Sequence, residues 1–359
     1  MKICFILQSL QSGGIERVAV ELLNRLAQRP GVDTHAILLH EKPAFFKLSE
    51  KVITHSSKIS SDNMSKWKYT YLVGRFIPIA IKEISPDVIV SNGEWINSFC
   101  WLCLPTKYRS RLFMFDHSNP FRGHQSPFYL LDKIAYPRAK GVLVLSRQAR
   151  EKIRTEFMQT NVYTLDNPVN LMDPGKAQEK QQLIISVGRL SKEKGHDVLI
   201  KAFSQCKSKN GWNVAILGEG SQREELQALI DQLGLTSQIK LLGNQSDVAY
   251  YYRVASIFVL PSWTENFPLA LIEAMSASLP TVMTDCISWR EEDQFLEDGK
   301  HGFKVPLNSI SHMVDAIDLL IENPKLRDQM GSNAISIRDR FERGKVEEDL
   351  LELFVKNVS

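Results

Sequence analysis

Short apolar segments alternate with longer segments of helical periodicity along the chain. Seven segments of the first half have the length of buried strands: Ile3–Leu7, His35–His40, Val52–His55, Val88–Ser91, Leu112–Asp116, Val142–Ser146 and Val162–Leu165. Apolar residues at helical spacing lie between several of them, at 15–28, 69–84 and 128–139. Strands that are apolar on both faces and alternate with helices are typical of a parallel sheet covered on both sides.

The segment 166–182 interrupts this alternation, because it is polar and contains two prolines. The pattern then restarts, with strands predicted at Leu183–Val187, Val214–Leu217, Ile239–Leu242, Ile257–Leu260 and Thr281–Thr284. Helices are predicted at 196–207, 221–233, 247–254, 268–278 and 309–322, and the tail 324–358 is predicted to form two more helices without a strand. We therefore predict two doubly wound, Rossmann-like α/β domains, 1–168 and 169–341, facing each other across a cleft.

Composition adds limits on compartment and cofactor. The five cysteines are odd in number and scattered, which favours a reducing compartment. Cys100 and Cys103 form a CxxC inside an apolar run; a buried helical pair is the favoured interpretation, with a metal or redox site as the alternative. The N-terminus lacks the features of a signal peptide, and no window has the roughly 18 apolar residues of a membrane span. We expect a cytoplasmic protein, attached to a membrane surface at most.

Charge is distributed unevenly. Residues 1–170 carry 23 Lys and Arg against 14 Asp and Glu, a net of +9, whereas residues 171–359 carry 21 against 27, a net of −6. The basic half is predicted to meet an anionic partner, although scattered solvated charge would give the same totals.

Ligands of doubly wound folds bind outside the carboxyl ends of the strands, so the residues just after strands are the candidates. Gly13 and Gly14 follow the first strand and open a helix, which allows a ligand close to the backbone; a tight turn is the alternative. His117 follows the strand that ends at Asp116 and could donate to a sugar hydroxyl or a developing charge, or it could be structural.

Two cations follow the first strand of the second half. Arg189 comes directly after Gly188, and Lys194 lies just before a helix. Two fixed positive charges and a helix N-terminus at one strand end suit a diphosphate, whereas the alternative is a basic surface loop.

The stretch 261–274 is the most informative part of the sequence. Pro268 suits the first turn of a helix, so Glu265 is predicted in the preceding loop and Glu273 on the helix. Asn266 and Phe267 would bring backbone N–H groups to the helix start, where an anion can bind. The alternative is a helix cap followed by a solvated glutamate.

Taken in order, the glycine pair, Arg189 with Lys194, and two glutamates separated by seven residues resemble glycosyltransferase family 4. The resemblance covers nearly the whole chain. It implies retaining glycosyltransferases of the GT-B fold, with an acceptor-side domain at 1–168, a nucleotide-sugar domain at 169–341 and a C-terminal helix at 342–359 that returns to the first domain. The members of interest act in lipopolysaccharide, capsule and lipid-linked glycan synthesis.

The resemblance also implies roles for single residues. Arg189 and Lys194 would hold the donor diphosphate, Glu273 would bind the ribose, and Glu265 would contact the transferred sugar. A second set completes the site: Gly13 and Gly14 would face the diphosphate and acceptor, His117 would match the active-site histidine, and Asn266 and Phe267 would border the donor. The family often has Gly at the position of Asn266, a residue that tolerates left-handed backbone.

These residues predict transfer of a hexose or N-acetylhexosamine, with UDP favoured as the donor nucleotide by its frequency in the family. Arg189, Lys194 and helix-end N–H groups can stabilise the leaving diphosphate, so no cofactor and no metal are expected. The acceptor is predicted to be a glycan or an anionic lipid-linked molecule at the cytoplasmic leaflet. Basic residues of the first half could face such a surface: Lys66, Lys68, Arg75, Lys107, Arg109 and Arg111.

Two other functions remain open at this stage. A sugar-nucleotide 2-epimerase has two facing α/β domains but needs no acceptor, and a non-catalytic nucleotide-sugar-binding subunit would support a partner enzyme. The paired glutamates disfavour the first, and the intact set of charged residues disfavours the second. No nucleic-acid-binding module appears in the sequence, so nucleic acid is not an expected partner.

Overall fold

The structure of the chain is a computed structural model that describes residues 1–11, 13–60, 64–117, 129–172, 179–265, 267–286, 295–341 and 345–358. The chain forms two compact units. Unit 1 comprises Met1–Pro168 with Gly344–Ser359, and unit 2 comprises Val169–Arg343.

Unit 1 is built on a seven-stranded parallel sheet in the described residues. Its strands are β1 Lys2–Leu7, β2 Asp33–Leu38, β3 Ile53–Ser56, β4 Val88–Asn92, β5 Leu112–Asp116, β6 Gly141–Val144 and β7 Val162–Thr164. The order is β3-β2-β1-β4-β5-β6-β7. Successive strands are therefore added on one side of β1 up to β3 and on its other side from β4 onward, so the strand order reverses between β1 and β4. Strands β4, β5 and β6 are buried along their whole length, which confirms the prediction of strands covered on both faces.

Helices connect these strands. They are α1 Gly14–Leu26, α2 Lys66–Ile84, α3 Glu94–Cys103, α4 Thr106–Arg109, α5 Tyr129–Ala135 and α6 Arg147–Glu156. The predicted helix at 128–139 is shorter, because α5 ends at Ala135 and a 3-10 turn follows over Tyr136–Arg138. Both CxxC cysteines lie on α3, and burial raises the pKa of the Cys103 thiol to about 11, which fits the predicted helical pair.

Unit 2 repeats the architecture with a six-stranded parallel sheet in the described residues. Its strands are β8 Leu183–Val187, β9 Asn213–Leu217, β10 Ile239–Gly243, β11 Ile257–Leu260, β12 Thr281–Thr284 and β13 Gly302–Val305. The order β10-β9-β8-β11-β12-β13 changes direction between β8 and β11. The edge strand β13 was absent from the sequence prediction, because its four residues include a glycine and a lysine and give no apolar run.

The helices of unit 2 are α7 His196–Gln205, α8 Arg223–Gln232, α9 Val248–Val254, α10 Leu269–Ser276, α11 Ile310–Glu322, α12 Pro324–Ala334 and α13 Ile337–Arg340. The prediction of two helices after residue 324 was wrong in number. In the described residues the tail contains α12, the four-residue α13 and the long helix α14, Lys345–Val358.

The last helix belongs to unit 1, although it follows unit 2 in the chain. Phe354 of α14 is fully buried, with its ring centroid 5.1 Å from that of Phe113 on β5. The Glu347 carboxylate pairs with Arg25 of α1 at 3.5 Å and with Arg29, three residues after that helix, at 3.3 Å. An aromatic anchor and a charge cluster therefore attach α14 to the first sheet and its helix.

None of the described helices is both long and apolar enough to cross a membrane.

Candidate functional site

The carboxyl ends of β8 and β11 form the first part of the site. These strands are neighbours, and the sheet changes direction between them, which is where doubly wound folds bind ligands. Arg189 lies exposed two residues after β8, and Lys194 ends a 3-10 turn over Lys192–Lys194. Both predicted cations therefore belong to the loop that enters α7.

A glycine holds this loop against the loop after β11. Gly195 has left-handed backbone (φ +62°), and a Cβ there would overlap the carbonyl oxygen of Pro261. The Trp263 N–H also donates to the Glu193 carbonyl at 2.8 Å. Close backbone approach of the two loops thus requires glycine at position 195, both for its φ and for its lack of a side chain.

An ion pair joins the two loops through their side chains. Lys194 Nζ lies 2.6 Å from Glu265 Oε1, and the Glu265 side chain is only 7% exposed. Ser262 Oγ donates to the same carboxylate oxygen at 2.6 Å. A buried carboxylate with one lysine and one hydroxyl donor is strongly oriented, so the structure brings together two residues that the sequence placed 71 positions apart.

Glu273 lies on α10 and is almost completely buried, at 1% exposure. Its Oε2 accepts a hydrogen bond from the Tyr252 hydroxyl at 3.1 Å, and this hydroxyl also lies 3.2 Å from the Ala270 carbonyl. A solvated surface glutamate is therefore excluded as the interpretation of this position. A buried carboxylate held by a tyrosine is suited to accept hydroxyl donors.

His196, the first residue of α7, directly follows the loop that carries Arg189 and Lys194. It is 3% exposed, and its Nδ1 lies 3.3 Å from Ser186 Oγ on β8. Burial, together with the smaller effect of the nearby Lys194 charge, lowers the pKa of His196 to about 4. The imidazole is therefore neutral at pH 7 and adds no charge to the loop.

Of the other two predicted donor contacts in this segment, Phe267 has a buried side chain. Its ring packs in an aromatic cluster with Phe295, at 5.4 Å between centroids, and with Phe341, at 5.9 Å. Any contact of Phe267 with a ligand would therefore be made through its backbone. Asn266 lies outside the described residues.

In unit 1, the predicted glycines lie after β1. Gly14 begins α1 and Gly13 precedes it, with the Gly13 carbonyl accepting the Arg17 N–H at 3.0 Å. Among the described residues, no atom lies within 4 Å of the position that a Gly14 Cβ would take. A Cβ at Gly13 would instead overlap the Glu16 carboxylate. The helix start is therefore open to close approach at Gly14, whereas an acidic side chain lies beside Gly13.

His117 follows β5, two strands away from β1 in the sheet. Its ring lies 4.0 Å from the centroid of Phe115. Burial lowers the pKa of His117 to about 4, against the opposing effect of the Asp116 carboxylate. Asp116 in turn accepts a hydrogen bond from the Tyr136 hydroxyl at 2.8 Å. His117 is therefore neutral at pH 7, able to exchange hydrogen bonds but not to supply a positive charge.

Sequence reasoning missed several polar residues that position these groups. Ser262, Tyr252 and Tyr136 each donate to a candidate or adjacent carboxylate. Hydroxyl residues in loops and helices are too common to stand out without knowledge of their neighbours. Only for Ser262 was there a usable sign, since it lies two residues after β11 and shares the loop with Glu265.

Within the described residues, no group of three or more His, Cys, Asp and Glu side chains is arranged to hold a metal ion.

Comparison with known proteins gives the family. Residues 12–172 match the family model described as Glycosyltransferase Family 4, and residues 170–337 match the model described as Glycosyl transferases group 1. An uncharacterized glycosyltransferase of Haemophilus influenzae is 28% identical over 96% of this chain and 97% of its own length.

A second relative has a described activity. It is an α-1,4-N-acetyl-D-galactosaminyltransferase of Campylobacter jejuni that acts on GalNAc-α-(1→4)-GalNAc-α-(1→3)-diNAcBac-PP-undecaprenol, and it is 26% identical over 99% of both chains. Sucrose-phosphate synthase from Thermosynechococcus elongatus superposes with a TM-score of 0.81 at 16% identity, covering 99% of this chain and 98% of its own. The predicted GT-B fold is thereby confirmed, and the chain belongs to the family 4 glycosyltransferases.

Proposed function

We propose that this glycosyltransferase is a retaining enzyme that moves a hexose or N-acetylhexosamine from a nucleoside-diphosphate sugar to a glycan or lipid-linked acceptor in bacterial cell-surface polysaccharide synthesis. One observation carries the proposal: Lys194 and Glu265 form a 2.6 Å ion pair at the point where the unit 2 sheet changes direction. That pair offers a cation to a diphosphate and a carboxylate to a sugar at the same strand ends.

The donor would bind to unit 2 through three groups of contacts. Arg189 and Lys194 would neutralise the diphosphate, and the first N–H groups of α10 would add hydrogen bonds. Buried Glu273 would accept the ribose hydroxyls, with Tyr252 holding its carboxylate in place. Glu265 would contact the transferred sugar. UDP is the proposed nucleotide because it is frequent among donors of the family that the sequence resembles.

The reaction would keep the anomeric configuration by attack on the face that the leaving group occupies. The bond from the anomeric carbon to the phosphate oxygen breaks, and its electron pair stays on the diphosphate. An acceptor hydroxyl oxygen bonds to the same carbon, and its proton passes to the departing phosphate oxygen. Glu265 would stabilise the oxocarbenium-like charge without a covalent bond, because it is already held by Lys194 and Ser262.

In unit 1, His117 would act as a neutral hydrogen-bonding group toward a sugar hydroxyl. Its pKa of about 4 leaves the ring uncharged at pH 7, so it would orient a hydroxyl and would not stabilise the diphosphate charge. Gly13 and Gly14 would let the diphosphate and acceptor approach the backbone at the start of α1, where Gly14 is unobstructed and the Glu16 carboxylate lies beside Gly13.

Transfer is proposed to be independent of metal ions, since Arg189 and Lys194 already supply positive charge for the leaving diphosphate. Extensive chelation should leave the transfer rate unchanged. A loss of activity that only an added divalent ion restores would show that the cations are insufficient.

The proposed acceptor is lipid-linked, which would place the enzyme at the cytoplasmic face of a membrane. Support comes from the relative whose acceptor is a glycan on PP-undecaprenol and from the net charge of +9 over residues 1–170. A diphosphate-linked lipid in an anionic leaflet would be attracted to a basic unit 1.

The decisive assay offers a panel of nucleotide sugars to the enzyme with a polyprenyl-diphosphate glycan, and it reads the anomeric configuration of the product by NMR. An α-linked product from an α-linked donor supports retention, whereas a β-linked product overturns it. A parallel reaction without acceptor should leave the donor unchanged. An epimerised donor in that reaction would identify the enzyme as a 2-epimerase. Mass spectrometry should find no sugar attached to Glu265.

A further inference from the structure

Helix α2 carries a stripe of large side chains that face away from the core. Its inner face is buried through Val73, Ile77 and Ile81. On the outer face, Trp67 is 87% exposed, Tyr71 61% and Ile79 60%. Exposed apolar residues are normal when they occur singly, but two aromatic rings and an isoleucine on one helix are not scattered.

The spacing turns these residues into one continuous surface. Residues 67, 71, 75 and 79 follow one another at intervals of four, which places them on one side of an α-helix. Arg75 joins the aromatic members, because its guanidinium lies 5.9 Å from the centroid of Tyr71 and donates to the Tyr71 hydroxyl at 3.3 Å. We call this surface, made of Trp67, Tyr71, Arg75 and Ile79, the α2 stripe.

Cations surround the α2 stripe. The exposed charged residues of α2 are Lys66, Lys68, Arg75, Lys82 and Glu83, which is four cations and one anion. A helix that simply faced water would gain from mixed charges at intervals of three and four, and this one has almost none. Aromatic rings with lysines and arginines beside them are the composition of helices that lie in a membrane interface.

We infer that the outer face of α2 is a docking surface for an anionic lipid bilayer. Trp67, Tyr71 and Ile79 enter the headgroup region, where an aromatic ring can keep its polar atom in water and its apolar body among acyl chains. Lys68, Arg75 and Lys82 lie on the side of the stripe and face lipid phosphates, each strengthening binding by about five-fold near an anionic surface. Lys66 stands about five turns before the buried Ile84, on the inner side of the helix, and is not counted. The inference rests on the proposed function, because a lipid-linked acceptor would lie in that bilayer. Binding of the protein to the bilayer, however, does not require a nucleotide-sugar donor.

Charge decides against a second copy of the chain as the occupant. A twofold contact would place each α2 stripe against its own copy, and the three cations on this side would then face three cations. Like charges brought together across an interface cost several kcal/mol. An anionic surface pairs with the same cations without this repulsion.

The test is cosedimentation of the full chain with vesicles of phosphatidylcholine alone or mixed with phosphatidylglycerol. Wild type should bind the mixed vesicles more strongly. Lys68→Gln with Lys82→Gln should weaken that binding about 25-fold, at five-fold for each cation. Trp67→Ser with Tyr71→Ser should weaken it about ten-fold or more, because both rings lose their apolar burial.

Matched controls lie on unit 2. Leu319 is a 42% exposed apolar residue of α11, so Leu319→Ser controls for loss of a surface side chain. Lys207→Gln with Lys325→Gln removes two exposed lysines, so its change in total charge equals that of the double lysine variant of α2. Vesicle binding of both controls should equal that of wild type.

Equal loss of binding in the controls and in the α2 variants would overturn the inference, and so would equal wild-type binding to the two vesicle types. A dimer that only the α2 variants dissociate, with unchanged vesicle binding, would assign the α2 stripe to a contact between copies instead. Thermal stabilisation by UDP is measured in parallel and should be the same in every variant. Vesicle binding without any nucleotide binding would reject the proposed function and leave the α2 surface standing.

Discussion

The two sheets end differently at their carboxyl edges. In unit 2 the loops after neighbouring strands carry opposite charges, and Lys194 and Glu265 are in direct contact. In unit 1 the corresponding edge has glycines after β1 and a neutral His117 after β5, while Asp116 is held by Tyr136. The proposed anion-binding groups are therefore concentrated in the half of the chain whose net charge is negative.

The net charge of a domain and the charge of its site are thus separate quantities. Residues 171–359 total −6, yet they contain Arg189 and Lys194 at the strand ends. Residues 1–170 total +9, and part of that excess lies on the outer face of α2, away from any strand end. Binding of a small diphosphate depends on a few fixed groups, whereas attraction to an extended surface depends on many.

The largest expected effect concerns the anchor of α14 in unit 1. Phe354→Ala should lower the free energy of unfolding of unit 1 by about 3–5 kcal/mol, because it opens a cavity where the ring meets Phe113. Hydrogen exchange read by mass spectrometry separates the units, and exchange should rise in unit 1 peptides while unit 2 peptides stay protected. Val358→Ala, at a 45% exposed position of the same helix, is the control and should change neither.

Next in size is the loss of the cation at the unit 2 strand ends. Lys194→Ala should lower kcat for sugar transfer by about 10²–10³-fold, since it removes the charge proposed to stabilise the leaving diphosphate. Lys192→Ala removes an exposed lysine from the same turn and should keep the wild-type rate. Equal rates for the two variants would mean that Lys194 has a structural function only.

Gly195→Ala tests the close approach of the two loops. The added Cβ would overlap the Pro261 carbonyl oxygen as well as strain a left-handed backbone, so we expect a loss of about 2–4 kcal/mol in stability. Gly234 has a similar φ of +67° with no described atom within 4 Å of its would-be Cβ. Gly234→Ala should therefore cost only about 1–2 kcal/mol. Thermal unfolding of both variants separates the contact from the strain.

The smallest effect is a pH dependence of unit 2. Buried His196 has a pKa of about 4, below the value of about 6.5 of an unfolded histidine, so the unfolded chain binds a proton that the folded one excludes. This contribution is complete above pH 6.5 and is lost as the pH falls toward 4, by about 1–3 kcal/mol.

Urea denaturation at a series of pH values measures this dependence. The stability of wild type relative to His196→Gln should decline across the interval from pH 6.5 to 4. His312→Gln, at an exposed position of α11, should run parallel to wild type. If the stability of His196→Gln changed with pH in parallel with that of wild type, the buried imidazole would not be the cause of the pH dependence.

Much of the fold was predictable because, along most helices and strands, the spacing of apolar residues in the sequence matches the residues that the structure buries. Strands such as β1 and β8 are apolar runs followed by helices, so the pattern alone locates them. The sequence pattern did not predict strand β13, because an edge strand needs no apolar run and β13 pairs with β12 through backbone hydrogen bonds. The tail was misjudged because the four-residue α13 is too short for a helical period.

The site was predictable in its residue types and not in its contacts. Strand-end position pointed to Lys194 and Glu265, but their 2.6 Å contact depends on β8 and β11 being adjacent, which is a property of the sheet order. The burial of Glu273 and its bond to Tyr252 likewise depend on how α9 and α10 pack. Spacing along a chain gives which residues can meet, and packing decides which do.

The most direct measurement is thermal unfolding of the full chain with UDP and other nucleoside diphosphates, in wild type, Arg189→Ala and Lys192→Ala. A diphosphate at about 100 times its Kd should stabilise the folded state by roughly 2.7 kcal/mol. We predict this shift for one nucleotide in wild type and Lys192→Ala, and its loss in Arg189→Ala. Equal shifts in all three proteins, or none in wild type at millimolar nucleotide, would contradict a donor site at the strand ends of unit 2.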